Sequence, residues 1–145
     1  MTNQEKKAKL NQYREAEAES SRLEQEITKW YSKAEKMTTA VKLVPSGGAA
    51  GRSLENSIEA IDALAGRLGD KRRETVRLRR EIEDVIAAVP DGRLRMLLRY
   101  RYIDGMTWER IAVNMNFKDV RHVYRLHGSA LSLISEKSLN VMVQV

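Results

Sequence analysis

The sequence predicts an all-α protein: a long antiparallel helical hairpin, coiled-coil-like, followed by a module of three short helices. Three observations carry that prediction. Apolar residues recur every three or four positions over two stretches of about 35 residues each. Charged residues make up 32% of the 145-residue chain and only Pro45 and Pro90 interrupt it, a balance that suits amphipathic helices better than sheet. Between the two long stretches lies "TTAVKLVPSGGAAGRS", Thr38 to Ser53, whose proline and glycines read as a loop.

The first helix is expected over residues 3–37. Tyr13, Ala16, Ser20, Leu23, Ile27, Trp30, Ala34 and Met37 form its seam, with Ser20 as one polar position. The loop covers 38–53, and Ser53 is placed as the N-cap of a second helix over 54–89. The second stripe runs Leu54, Ile58, Ile61, Ala65, Leu68, Leu78, Ile82, Ile86 and Val89, with Arg72 and Arg79 near it, and "PDG" stops it. Each helix would be on the order of 50 Å long. Neither can cover its own apolar stripe, so the chain is expected to fold back on itself; the hairpin would then form a homodimer or dock on RNA polymerase.

Residues 91–137 form the module, and 138–145 a short apolar tail without a partner. Leu94, Leu97, Leu98 and Tyr102 stripe its first helix, which Asp104-Gly105 ends. Thr107 caps the next, "WERIAVNM". The last begins near Asp119, with Val120, Val123, Tyr124, Leu131 and Ile134 as its core face. The final two helices and their tight turn meet the demands of a helix-turn-helix. Ala112 is small where the helices cross, Asn116 tolerates the positive φ of the turn, and Ile111, Met115 and Phe117 fill the core between them.

Charge sharpens the reading. The net charge is +6, and residues 91–145 hold nine bases against five acids, so most of the excess is local. Such an excess favours a polyanionic partner. On the last helix, Arg121, His122, Arg125, Gly128, Ser129 and Ser132 lie opposite the core face. Bases at the start of a recognition helix enter the major groove, where arginine pairs with guanine O6 and N7. Lys118, Arg121, His122 and Arg125, with Ser129 on the same face, are the candidate contacts to bases or adjacent phosphates. Thr107, Trp108 and Arg110 are the candidate backbone anchors. Arg93, Arg95, Arg99 and Arg101 are further candidates for phosphates.

"LRMLLRYRYIDGMTWERIA", Leu94 to Ala112, resembles the start of a sigma-70 region 4 domain. "RHVYRLHGSAL", Arg121 to Leu131, resembles small phage-encoded, sigma-like helix-turn-helix transcriptional regulators. The resemblance covers roughly residues 92–135, and the rest of the chain in layout only. It implies a sequence-specific DNA-binding regulator of phage or prophage origin, working on double-stranded DNA and contacting RNA polymerase. From Ile111 to Val123 this chain is one residue longer than the usual spacing, the extra residue falling near Asp119 or Val120. The register of individual base contacts stays open on that account. Two other functions fit the same layout: a phage assembly component such as a small terminase-like subunit, and a protein-interaction adaptor.

Other chemistries find little footing. The chain has no cysteine, which excludes disulfides and cysteine-bound zinc. His122 and His127 fall on different helix faces, so no metal site is expected, and His127 is read as a half-buried packing residue. "SGGAAGRS" lacks the lysine and preceding strand of a phosphate loop. Nothing pairs a nucleophile with a base, so neither catalysis nor a cofactor is expected. No stretch of about 18 apolar residues spans a membrane, and no apolar leader follows Met1. A cytoplasmic place in a bacterial host is the expectation.

Overall fold

A computed structural model of the chain describes residues 1–43 and 48–141, with side chains for 1–40 and 51–141. Every regular element among them is helical: α1 (Asn3–Leu10), α2 (Gln12–Leu43), α3 (Gly48–Ala87), α4 (Gly92–Tyr102), α5 (Trp108–Asn114), α6 (Val120–Leu133) and α7 (Glu136–Val141). Thr2 and Glu5 start α1 as a reciprocal capping box. α1 and α2 part only at Asn11, which keeps right-handed helical angles. No helix among the described residues is long and apolar enough to cross a membrane.

The two long helices run further than the sequence suggests. Residues 38–43 continue α2, and 48–53 already belong to α3, so the expected loop over 38–53 is largely helix and Ser53 is not an N-cap. Residues 44–47, with Pro45 and Gly47, lie outside the described residues. Gly48 and Gly51 are helical because glycine costs a helix only about 1 kcal/mol per residue, which does not forbid it.

The stripe of α3 also differs in register. Ser57, Leu64, Leu68, Thr75, Leu78, Ile82, Val85, Ile86 and Val89 are buried, while Ile58 is 49% exposed and Ala65 is exposed. The buried side follows positions 57, 61, 64, 68, 71, 75, 78, 82, 85 and 89, alternating steps of four and three. Polar residues hold three of those places, Ser57, Lys71 and Thr75. Arg72 and Arg79, expected near the seam, are exposed.

The chain forms two compact units. One comprises Glu17–Glu74, drawn from α2 and α3. Its core is small: Leu23, Leu64 and Leu68, with Ile27 and Trp30 against them. Lys71 bridges Glu19 and Glu74, each at 2.9 Å. Ser20 Oγ is buried there without a hydrogen-bond partner.

The other unit comprises Met1–Ala16 and Thr75–Val145. The expected boundary near residue 90 therefore gives way to a different division. Leu10, Tyr13, Ile82, Val85 and Ile86 share one cluster with Leu94, Leu98, Tyr102, Leu131 and Ile134. The reason is surface area: three helices of 11, 7 and 14 residues cannot bury enough apolar surface alone. The expected tail is likewise drawn in. Residues 138–141 belong to α7 and Leu139 is wholly buried in that cluster, whereas 142–145 lie outside the described residues. Lys6 of α1, itself buried, donates from Nζ to the Leu131 carbonyl at 2.8 Å and so closes the end of α6.

Candidate nucleic-acid interface

The candidate site stands on α5, its following turn and α6. Thr107 caps α5, its hydroxyl accepting from the Arg110 N–H at 3.2 Å. α5 ends in a left-handed residue, Asn116, at φ 60°. The Asn116 N–H donates to the Val113 carbonyl at 3.1 Å and the Phe117 N–H to the Ala112 carbonyl at 2.8 Å. Those two bonds satisfy carbonyls that the helix end leaves free, the Schellman arrangement. Asp119 then caps α6 through the Arg121 N–H at 2.9 Å.

Beneath the turn, Leu97, Ile111, Ala112 and Val123 are buried, with Met115 and Phe117 packed against them. α6 buries Val123, His127, Ala130 and Leu131. The buried arc is therefore centred near His127 rather than Val120. Val120 is only half-buried, and Tyr124, expected in the core, sits at the arc's edge and is 47% exposed. His127 is more deeply buried than expected, and its Nε2 lies 2.6 Å from the Tyr102 hydroxyl of α4. Burial, with the charges of Lys7 and Arg101, pulls the imidazole down to about 4, and burial pushes the Tyr102 phenol up to about 12. The Tyr102 O–H thus donates to Nε2 of the neutral ring, which ties α4 to α6.

The opposite side of α6 is cationic and open. Lys118, Arg121, His122, Arg125 and Ser129 are all exposed. His122 stacks on Phe117 at 5.7 Å and 26°, and its Nδ1 accepts from Arg125 Nη2 at 2.8 Å. The Arg93 guanidinium of α4 lies 4.8 Å from the centre of the same Phe117 ring. Phe117 thereby brings the Arg93 guanidinium of α4 beside the His122 ring of α6. Arg121 pairs with Asp119, whose carboxyl its hydrogen bonds hold below the usual range. Ser129 Oγ donates to the Arg125 carbonyl at 3.3 Å, and no protein atom stands within 4 Å of where a Gly128 Cβ would lie.

The expected anchors separate. Arg110 is exposed and Thr107 is exposed but committed to its cap. Trp108 is half-buried, with Arg101 at 4.1 Å, His127 at 4.6 Å and Tyr124 at 5.6 Å from its ring, so packing accounts for it. The arginines of α4 divide similarly. Arg95 donates to the Val89 carbonyl at 2.6 Å, Arg99 lies 3.7 Å from Glu83, and Arg101 donates to the Met106 carbonyl at 3.0 Å. Of the four, Arg93 alone joins the exposed face of α6. Its link to Phe117 is not legible in the sequence, because a contact across 24 positions has no local pattern.

Among the described residues no three acidic or histidine side chains gather as metal ligands. The charged cleft of the Glu17–Glu74 unit, lined by Glu19, Arg22, Glu26, Arg67, Asp70 and others, is occupied by its own ion pairs. What the α6 face can do chemically is meet a polyanion with Lys118, Arg121 and Arg125, joined by Arg93 of α4, on a helix narrow enough for a major groove. Comparison with protein-family models, with curated proteins and with solved structures finds no match to this chain.

Proposed function

We propose that this chain is a sequence-specific regulator of transcription that binds double-stranded DNA through α6. The observation that carries the reading is the exposed cationic face of α6, set on a turn closed at Asn116. Lys118, Arg121, His122 and Arg125 meet bases and adjacent phosphates, with Ser129 further along, and Arg93 and Arg110 hold the backbone. Thr107 and Trp108 serve by building the module. The resemblance of residues 92–135 to sigma-like regulators supports a phage or prophage origin and a contact with RNA polymerase.

The test is duplex binding by the full chain at 50 and 200 mM salt, concentrations at which phosphate contacts are told apart by their counterion release. With four phosphate contacts, affinity falls by roughly two orders of magnitude between them. Arg121→Ala/Arg125→Ala weakens binding and flattens that dependence. Affinity indifferent to salt and to this double substitution would overturn the reading.

A second reading has one observation in its favour. In the Glu17–Glu74 unit Tyr31 is 59% and Ile58 49% exposed, and Ile27 and Trp30 are half-buried. A hairpin with so much uncovered apolar surface suits self-association, either as a dimeric regulator or as a ring-forming, terminase-like assembly component. Light scattering separates them: a mass of one or two chains favours the regulator, a ring-sized mass the assembly component. Salt-insensitive capture of polymerase without DNA binding would instead favour an adaptor.

A further inference from the structure

Arg121 differs from the other cations of the α6 face in being held along one edge. Asp119 Oδ2 accepts from Arg121 Nε at 2.8 Å and lies 2.7 Å from Nη2, while Oδ1 accepts from the Arg121 backbone N–H at 2.9 Å. One carboxylate thus caps the helix and fixes a guanidinium that is still 86% exposed. A guanidinium has five N–H donors. The pair uses the Nε hydrogen and one on Nη2, which leaves the end carrying Nη1 and the second Nη2 hydrogen free as a parallel pair of donors.

That arrangement discriminates between two kinds of acceptor. A phosphate approaching this end meets the cation together with the carboxylate behind it, and the two anions repel. Guanine presents O6 and N7 in the major groove, two neutral acceptors spaced for a paired guanidinium edge. The carboxylate costs nothing against them and keeps the desolvated cation compensated. It also holds the rotamer in advance, so less side-chain freedom is lost on binding. Lys118 and Arg93 have no carboxylate within ion-pair distance among the described residues, and phosphates suit them.

Resting on the DNA-binding function proposed above, the geometry points to Arg121 as the reader of a guanine, with Asp119 as its positioning residue and Lys118 and Arg93 on the flanking phosphates. The extra residue in the turn, which unsettles the register from sequence, then has a use. It places an acidic cap two positions before the arginine it orients.

The experiment is selection of bound duplexes from a random pool by the full chain, followed by affinities for the selected site and its single-base variants. The unsubstituted chain selects a site with a guanine whose replacement lowers affinity on the order of ten- to a hundredfold. Arg121→Ala abolishes that preference and leaves the other positions unchanged. Arg121→Lys, which keeps the charge without the paired edge, abolishes it too. Asp119→Asn still caps the helix but narrows the preference several-fold, while affinity for unrelated duplex stays equal or rises. A uniform loss on all sequences in Arg121→Ala, with a salt dependence shallower by about one phosphate contact, would make Arg121 a backbone contact and overturn the inference while leaving DNA binding intact. Duplex binding without base preference in the unsubstituted chain would do the same. Absence of salt-sensitive duplex binding would overturn both.

Discussion

Asn116 is where a single residue decides the geometry of the module. Its φ of 60° lies in the left-handed region, which costs most L-residues roughly 1–2 kcal/mol and asparagine or glycine less. Asn116→Ala is expected to lower stability by about 1 kcal/mol, and Asn116→Gly to leave it unchanged or raise it, as urea denaturation will report. His127 is a second such residue. Its folded value near 4 lies below the 6.5 of an open chain. Above pH 6.5 both states hold the ring neutral, and its contribution is fully present. As pH falls from 6.5 toward 4 the unfolded chain takes up a proton that the fold refuses, so stability drops, by up to roughly 3 kcal/mol. Denaturation midpoints across that window should decline, and His127→Gln, which can still accept the Tyr102 hydroxyl, should flatten the decline.

At the scale of elements, α6 carries the most informative departure from local preference. Gly128 stands mid-helix, where glycine is about 1 kcal/mol worse than alanine. Internal packing does not require it, since a Cβ there would meet open space. Gly128→Ala should therefore raise the melting temperature while lowering affinity for duplex DNA, the partner that would need the close approach. A rise in both would remove Gly128 from the interface. α3 teaches a different lesson about elements. Its apolar residues alone suggest a stripe through Ile58 and Ala65, yet the buried face runs through Ser57, Leu64 and Lys71. A regular alternation of four and three outranks the hydrophobicity of single positions, because the facing surface is continuous and the polar seam residues find local partners. Ser57 bonds its hydroxyl to the Ser53 carbonyl at 2.9 Å and Lys71 is ion-paired.

At the scale of the whole molecule, the module and the base of the hairpin are one folding unit. A fragment of residues 91–145 lacks Leu10, Tyr13, Ile82, Val85 and Ile86 from its core. Each such deletion is of the kind that costs 2–5 kcal/mol in isolation, so the fragment should lack cooperative unfolding. Replacing residues 17–74 by a short glycine-serine turn should instead leave a folded, cooperatively melting protein, because Tyr13 and Ala16 share one buried cluster with Leu78 and Ile82 close to the join, where the Arg79 guanidinium also lies 5.9 Å from the Tyr13 ring centre. Calorimetry of the fragment and of the shortened chain checks the pair. If the shortened chain also keeps duplex binding, residues 17–74 serve association or a protein partner and not DNA.

The sequence by itself determined what short range controls. Helical class, the stop at Pro90, the caps at Thr107 and Asp119, the left-handed turn at Asn116 and the cationic outward side of α6 all follow from periods of 3.6 and from residues that bond their own neighbours. The tertiary structure decided what depends on distant parts of the chain. It set which arginines stay available, since Arg95 and Arg101 donate to backbone carbonyls and Arg99 sits beside Glu83 of another helix, partners that no local pattern reveals. It joined α1 to the end of α6 through Lys6, and it drew the boundary between units where burial of apolar surface is sufficient, not where proline and glycine punctuate the chain. Local rules fix backbone conformation residue by residue, whereas burial and pairing are settled only when separate helices compete for the same surface.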